Sequence, residues 1–183
     1  MYGLGADIES PAAVQRIIDL KGRPVGMGLP LLLAETDELA TVARELSEAI
    51  WSLTQRFWPG SLTLVVRRSA MVSDLVTGGR DTVAVRVPDH PVPRELARGL
   101  GRPITGTSAN LSGQPSAMTG EEAQRGLGMY VDLVMEGEPA PGQIESTILD
   151  VTGAVPLLVR QGAVGEDDLR DYLAELGNEL AVA

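Results

Sequence analysis

Short runs of β-branched and aliphatic residues, bounded by Gly or Pro, alternate irregularly with stretches of helical spacing along all 183 residues. Apolar runs of strand length need ladder partners, and helical stretches must bury one stripe. A chain that alternates the two builds a sheet with helices packed against it. Strands are predicted at Leu29–Ala34, Leu62–Val66, Thr82–Val87, Pro103–Thr105, Tyr130–Met135, Ser146–Val151 and Pro156–Val159. A helix is expected behind Ser10-Pro11, with Ser as N-cap and Pro in the first turn, running through Val14, Ile17 and Ile18 to a stop at Gly22. Asp37–Phe57 carries Leu39, Val42, Ala43, Leu46, Ile50 and Leu53 on one helical face. Pro91–Leu100 and Gly165–Leu176 also read as helices, and Thr119 with Glu122 forms a capping box for another. Met1–Gly5 reads as a glycine-rich turn, and Ser69–Asp81 as a loop or short helix around Gly78-Gly79. No repeat or linker interrupts the pattern. The expectation is one α/β domain over residues 1–183: a twisted mixed sheet with flanking helices.

The chemistry open to this chain is narrow. It contains no Cys and one His, which removes zinc ribbons, iron–sulfur clusters and thiol nucleophiles. The formal charge is -10, against binding of nucleic acid over a broad basic surface; any polyanion would be held at a focused site. No apolar run reaches the roughly 20 residues that a membrane-spanning helix needs, so a soluble, cytoplasmic protein with no membrane partner is expected.

What remains is fixed cations beside hydroxyl-rich segments, a combination suited to phosphates and carboxylates. Lys21 and Arg23 flank Gly22 at a helix exit and are stiffened by Pro24. On an extended segment both side chains would face one ligand; as a helix terminus they would merely complement its dipole. Thr82 and Arg86 share one face of a strand, where an Arg is costly unless it meets an anion or solvent. Gly106-Thr107-Ser108-Ala109-Asn110 falls short of a nucleophile elbow, and His90 in a Pro-rich turn is a poor base for it, so a Ser–His triad is set aside. Ser108 and Asn110 read better as hydrogen-bonding groups for a polar ligand, or as an ordinary turn. No phosphate-loop motif is present, and no metal site can be assembled.

Taken in order, Tyr2-Gly3-Leu4-Gly5, Lys21-Gly22-Arg23-Pro24, Leu29-Pro30-Leu31, Trp58-Pro59-Gly60-Ser61-Leu62-Thr63, Val85-Arg86-Val87-Pro88, Ser108-Ala109-Asn110, Ser112-Gly113, Glu145-Ser146-Thr147-Ile148 and Val159-Arg160-Gln161-Gly162 resemble the YrdC/TsaC family of threonylcarbamoyl-AMP synthases. The resemblance implies a nucleotidyltransferase that joins L-threonine, bicarbonate and ATP into threonylcarbamoyl-adenylate and pyrophosphate. ATP would be a substrate, accompanied by Mg2+. A tRNA-modifying threonylcarbamoyl transferase complex would take the product. The fold implied is a twisted sheet around a concave basic cavity. Carried over by position, Lys21 and Arg23 would be catalytic, with Arg23 on the ATP phosphates. Arg86, Gly106 and Ser146 would bind threonine. Thr82, Ser108, Asn110, Ser116 and Arg160 would line or hold the nucleotide.

Two departures from the family pattern carry expectations. Relatives place a strand ending in Pro-Thr-(Asp/Glu)-Thr before Tyr-Gly-Leu-Gly, whereas this chain begins Met1-Tyr2. The expectation is an unpaired neighbouring edge and weak activity of the chain as it stands. At Val25-Gly26-Met27-Gly28 relatives offer a Lys or Asn and a Pro, so an ATP contact is expected to be lost. The alternatives are a double-stranded RNA-binding module, against which the acidic total charge counts, and an inactive family member; a carbamoyl-transfer domain of the hydrogenase-maturation type is disfavoured, because such domains lie inside longer chains with zinc-finger cysteines.

Overall fold

A computed structural model describes residues 1–24, 26–135, 137–138 and 144–183. Val25, within one of the two departures above, lies outside them. The order of elements is β1 (Gly3–Leu4), α1 (Pro11–Leu20), β2 (Leu31–Leu32), a 3-10 turn (Thr36–Glu38), α2 (Leu39–Val42), β3 (Ala43–Arg44), α3 (Glu48–Phe57), β4 (Leu62–Arg68), α4 (Asp74–Thr77), β5 (Thr82–Arg86), α5 (Pro91–Leu100), β6 (Ile104–Thr105), β7 (Thr107–Ser108), α6 (Gly120–Leu127), β8 (Thr147–Asp150), β9 (Leu157–Arg160), α7 (Glu166–Glu175) and β10 (Ala181–Val182).

An eight-stranded sheet runs β10-β9-β8-β4-β5-β2-β6, with β3 added beside β4. It is mixed: β10/β9, β8/β4 and β5/β2 are parallel, while β9/β8, β4/β5, β2/β6 and β3/β4 are antiparallel. This is the α/β architecture that the alternating pattern requires. The longest strand, β4, is flanked by β5 and β8, and its Leu62, Leu64 and Val66 are buried. Leu31, Val83, Val85, Leu149 and Leu158 join them in one cluster with Val14 and Ile17 of α1, Ile50 and Leu53 of α3, and Leu169 and Leu173 of α7. Each fully buried Leu contributes about 1.5–3 kcal/mol of burial.

Helix starts follow the caps. Ser10 Oγ accepts from Ala13 N at 3.4 Å, with Pro11 in the first turn. Thr119 Oγ1 accepts from Glu122 N at 3.1 Å, while the Glu122 carboxylate returns to Met118 N at 2.7 Å rather than to Thr119. The acidic first turn of α7 suits its helix dipole.

Three expectations need correction. Asp37–Phe57 is not one helix: Glu45 takes φ 58°, in the left-handed region, and breaks the spiral. Ala43 and Arg44 pair instead with Arg68 and Arg67 at the end of β4, and Ser47 caps a fresh helix. The apolar stripe survived the break because Leu39, Val42, Ala43, Ile50 and Leu53 still enter the core. Tyr130–Met135 forms no strand. It leaves α6 through a turn, Tyr130 N bonding Leu127 O at 2.8 Å, and its Tyr130, Leu133 and Met135 are exposed without a ladder partner. Gly3–Leu4, expected as a turn, pairs antiparallel with Thr107–Ser108. The same segment continues along β6, where Thr105 N bonds Ala6 O at 2.8 Å and Asp7 bridges Ile104, so the outer side of β6 is not bare.

Candidate functional site

The register of the central strands places the outlying arginines in one row. Leu32 pairs with Arg86 across β2/β5, and Val85 pairs with Leu64, which sets Arg86 level with Thr63 on β4. Thr63 pairs with Ile148, and Ile148 with Arg160. Residues paired across a sheet project from the same face, so Arg86 and Arg160 overlook Thr63 from two sides. Their strands are three steps apart, about 14 Å, a gap that two long side chains bridge. The charge of Arg160 is felt at Arg86, whose guanidinium is held below its ordinary pKa by burial first and by Arg160 second.

Arg86 is the group with the least compensation. Its only hydrogen bond among the described residues is Nη1 to Gly60 O, at a long 3.5 Å, and no carboxylate pairs with it. Arg160, by contrast, is engaged: Nε and Nη2 donate to Ser146 O at 3.2 and 2.8 Å, and Nη1 pairs with Glu145 at 2.6 Å. Ser146 Oγ lies 2.8 Å from Thr63 Oγ1 and 3.4 Å from Arg160 Nη2. Thr147, fully buried, anchors the return of β9: its hydroxyl donates to Val164 O at 2.7 Å and accepts from Gly162 N and Val164 N. Gly162 is required there because a Cβ would overlap the Glu145 carbonyl and Ser146 backbone.

The second half of the site is built on the end of α1. Gly22 turns the chain at φ 52°. Lys21 Nζ then reaches Ser108 O at 3.0 Å, Ser108 Oγ at 3.3 Å, Asn110 O at 3.0 Å and Asn110 Oδ1. Three ammonium hydrogens meet four oxygens, so Lys21 fastens the Ser108–Asn110 segment to α1 while keeping its charge in the site. Burial pulls its pKa down, Arg23 adds to that, and Glu145 opposes it. The four oxygens favour the charged form, and the ammonium is the species that fits this cage. Arg23 donates Nη1 to Gly28 O at 2.6 Å and Nη2 to Thr107 Oγ1 at 3.2 Å; its buried Nε has no partner among the described residues, and burial lowers its pKa.

The two halves meet through Glu145, which pairs with Arg160 and acts on Lys21. The structure thus brings together Lys21, Arg23, Ser108 and Asn110 on one side and Arg86, Ser146 and Arg160 on the other. Gly106 sits between β6 and β7, its amide bonding Pro30 O at 2.8 Å, with Leu32 filling the space where a Cβ would stand. Ser116 precedes Ala117, whose amide bonds Ala109 O at 3.0 Å, which keeps it near Ser108 and Asn110. Thr82 stands at the other end of β5, about 13 Å along the strand from Arg86, paired with Arg67. Thr63, Thr107, Glu145 and Thr147 carry no role in the sequence reading above. Their signal was their place inside the ordered segments, but single hydroxyls in strands are common and only the contacts single them out. Among the described residues no group of three or more acidic or His side chains could hold a metal ion, and no helix is long and apolar enough to cross a membrane.

The Sua5/YciO/YrdC family, described under the heading telomere recombination, matches residues 1–162. A threonylcarbamoyl-AMP synthase of Pyrococcus abyssi is 36% identical over 96% of this chain and 52% of its own length, so the chain spans about half of that relative. A threonylcarbamoyl-AMP synthase of Vibrio parahaemolyticus is 37% identical over 88% of both chains. The crystal structure of P. abyssi Sua5 complexed with L-threonine superposes with a TM-score of 0.90 at 36% identity, covering 98% of this chain and 52% of that one. With the ordered segments, the sheet topology and these matches in agreement, the chain belongs to the Sua5/YciO/YrdC family.

Proposed function

We propose that this chain is an L-threonylcarbamoyladenylate synthase, a nucleotidyltransferase acting on L-threonine, bicarbonate and ATP. The observation that carries the reading is Arg86: a guanidinium set into the sheet face beside a second cation, with one long hydrogen bond and no carboxylate partner among the described residues. Such a group is tolerated where a ligand supplies the anion. The threonine carboxylate fits between Arg86 and Ser146, with Gly106 backbone alongside. Arg23, whose buried Nε has no partner among the described residues, and the Lys21 charge would face the triphosphate; Ser108, Asn110, Ser116 and Arg160 belong to the nucleotide side, to which Thr82, at the other end of β5, is assigned from the family pattern alone. The relatives named threonylcarbamoyl-AMP synthase and the relative that binds L-threonine support this assignment.

The reaction suits a site without thiol or metal cluster. Threonine's amine attacks carbon dioxide drawn from bicarbonate and loses a proton, giving a carbamate. A carbamate oxygen attacks the α-phosphorus of ATP, and the bond to the β-phosphate oxygen breaks, releasing pyrophosphate. Alignment and neutralisation of charge carry such a step without a protein nucleophile. Mg2+ would enter with the triphosphate and shield its charge. The product suits a tRNA-modifying partner that accepts the threonylcarbamoyl group. The test is pyrophosphate release by purified protein: it should require both threonine and bicarbonate, and release that ignores either one refutes the reading.

A further inference from the structure

A serine hydroxyl has one proton to give and two lone pairs to fill. At Ser146 Oγ both acceptor directions are taken, by Thr63 Oγ1 at 2.8 Å and by Arg160 Nη2 at 3.4 Å. An arginine can only donate, and the Thr63 hydroxyl has no other partner among the described residues. Thr63 is buried at 3% exposure on the central strand β4, so water does not compete for it. The Ser146 proton has no acceptor among the described residues and is left for a ligand.

We propose that Thr63 is a positioning residue that fixes the Ser146 hydroxyl as a donor, so that the ligand atom docking there must be an acceptor such as a carboxylate oxygen. The proposal rests on threonine's carboxylate lying between Arg86 and Ser146, as argued above. It adds a cause for selectivity: with Thr63 in place, Ser146 cannot turn its lone pairs towards an N–H donor. Without the Thr63 hydroxyl, Ser146 regains an acceptor direction and tolerates an amide in place of the carboxylate.

The experiment compares binding of L-threonine and L-threoninamide by calorimetry. Wild-type protein should prefer threonine. Thr63→Val should lose about tenfold of that preference, the size of one charge-assisted hydrogen bond, whereas Thr63→Ser should keep it. In a Ser146→Ala background Thr63→Val should change nothing further, because its effect runs through Ser146. Thr63→Ala removes the hydroxyl with less crowding, and should behave as Thr63→Val if the latter fails to fold. A preference unchanged in both hydroxyl-free variants overturns the proposal. So does an equal loss in Thr63→Ser, which would assign the effect to packing, and so does a tenfold loss that persists without Ser146. Wild-type protein that binds no threonine would instead strike the functional reading beneath it.

Discussion

Replacing Arg86 with Met separates a ligand-binding cation from a structural one. Arg86 makes one long hydrogen bond to Gly60 and feels the like charge of Arg160, so its removal breaks no ion pair among the described residues. Breaking a buried pair costs about 3–5 kcal/mol; here the expectation is an unliganded melting temperature within about 2 °C of wild type, or higher. Ligand binding behaves oppositely. Two charge-assisted hydrogen bonds to a carboxylate are lost, at about 1.5–3 kcal/mol each, so a loss near 3 kcal/mol is a conservative figure. That is about a 150-fold rise in the Kd of threonine. In thermal denaturation, threonine at 100 times the wild-type Kd stabilises by about 2.7 kcal/mol, or about 5–10 °C for a protein of this size. The same threonine concentration should stabilise Arg86→Met by roughly 0.3 kcal/mol, about 1 °C. A variant whose unliganded form melts 10 °C lower, or which keeps the full threonine shift, would refute the argument.

Other expectations follow from the same geometry. Thr147→Val strips three hydrogen bonds from the Val164 carbonyl and the Gly162 and Val164 amides, and should cost about 3 kcal/mol in urea denaturation, with Thr147→Ser recovering most of it. Gly162→Ala drives a methyl into the Glu145 and Ser146 backbone and should lose about 1–3 kcal/mol of stability, while weakening ATP binding in titrations, because Arg160 must shift. Asp7 is held below the usual carboxylate range mainly by its hydrogen bonds from Arg102, at 2.8 Å each. A depressed carboxyl contributes stability above its unfolded pKa, about 3.9, and loses it as pH falls through its folded value. Asp7→Asn should therefore be less stable than wild type near neutrality, and the gap should close in acid melts below pH about 4.

The alternation of strands and helices, the caps at Ser10 and Thr119, and the ordered segments that carry Arg23, Arg86, Ser108, Ser146 and Arg160 were legible in the chain before folding. Those signals are local: hydrophobic period, cap chemistry and turn residues act within a few positions. Where the chain departed from them, at Glu45 and at Tyr130–Met135, the deciding factor was pairing. Arg44 found a partner on β4, while Tyr130–Met135 found none among the described residues, and no local pattern encodes either outcome. The site depended on register in the same way. Only the pairings of β5, β4, β8 and β9 set Arg86 and Arg160 around Thr63 and Ser146, and only the fold gave Arg160 a carboxylate while giving Arg86 none among the described residues. Long-range pairing decides which charges meet, and that is a property of the sheet rather than of any segment within it.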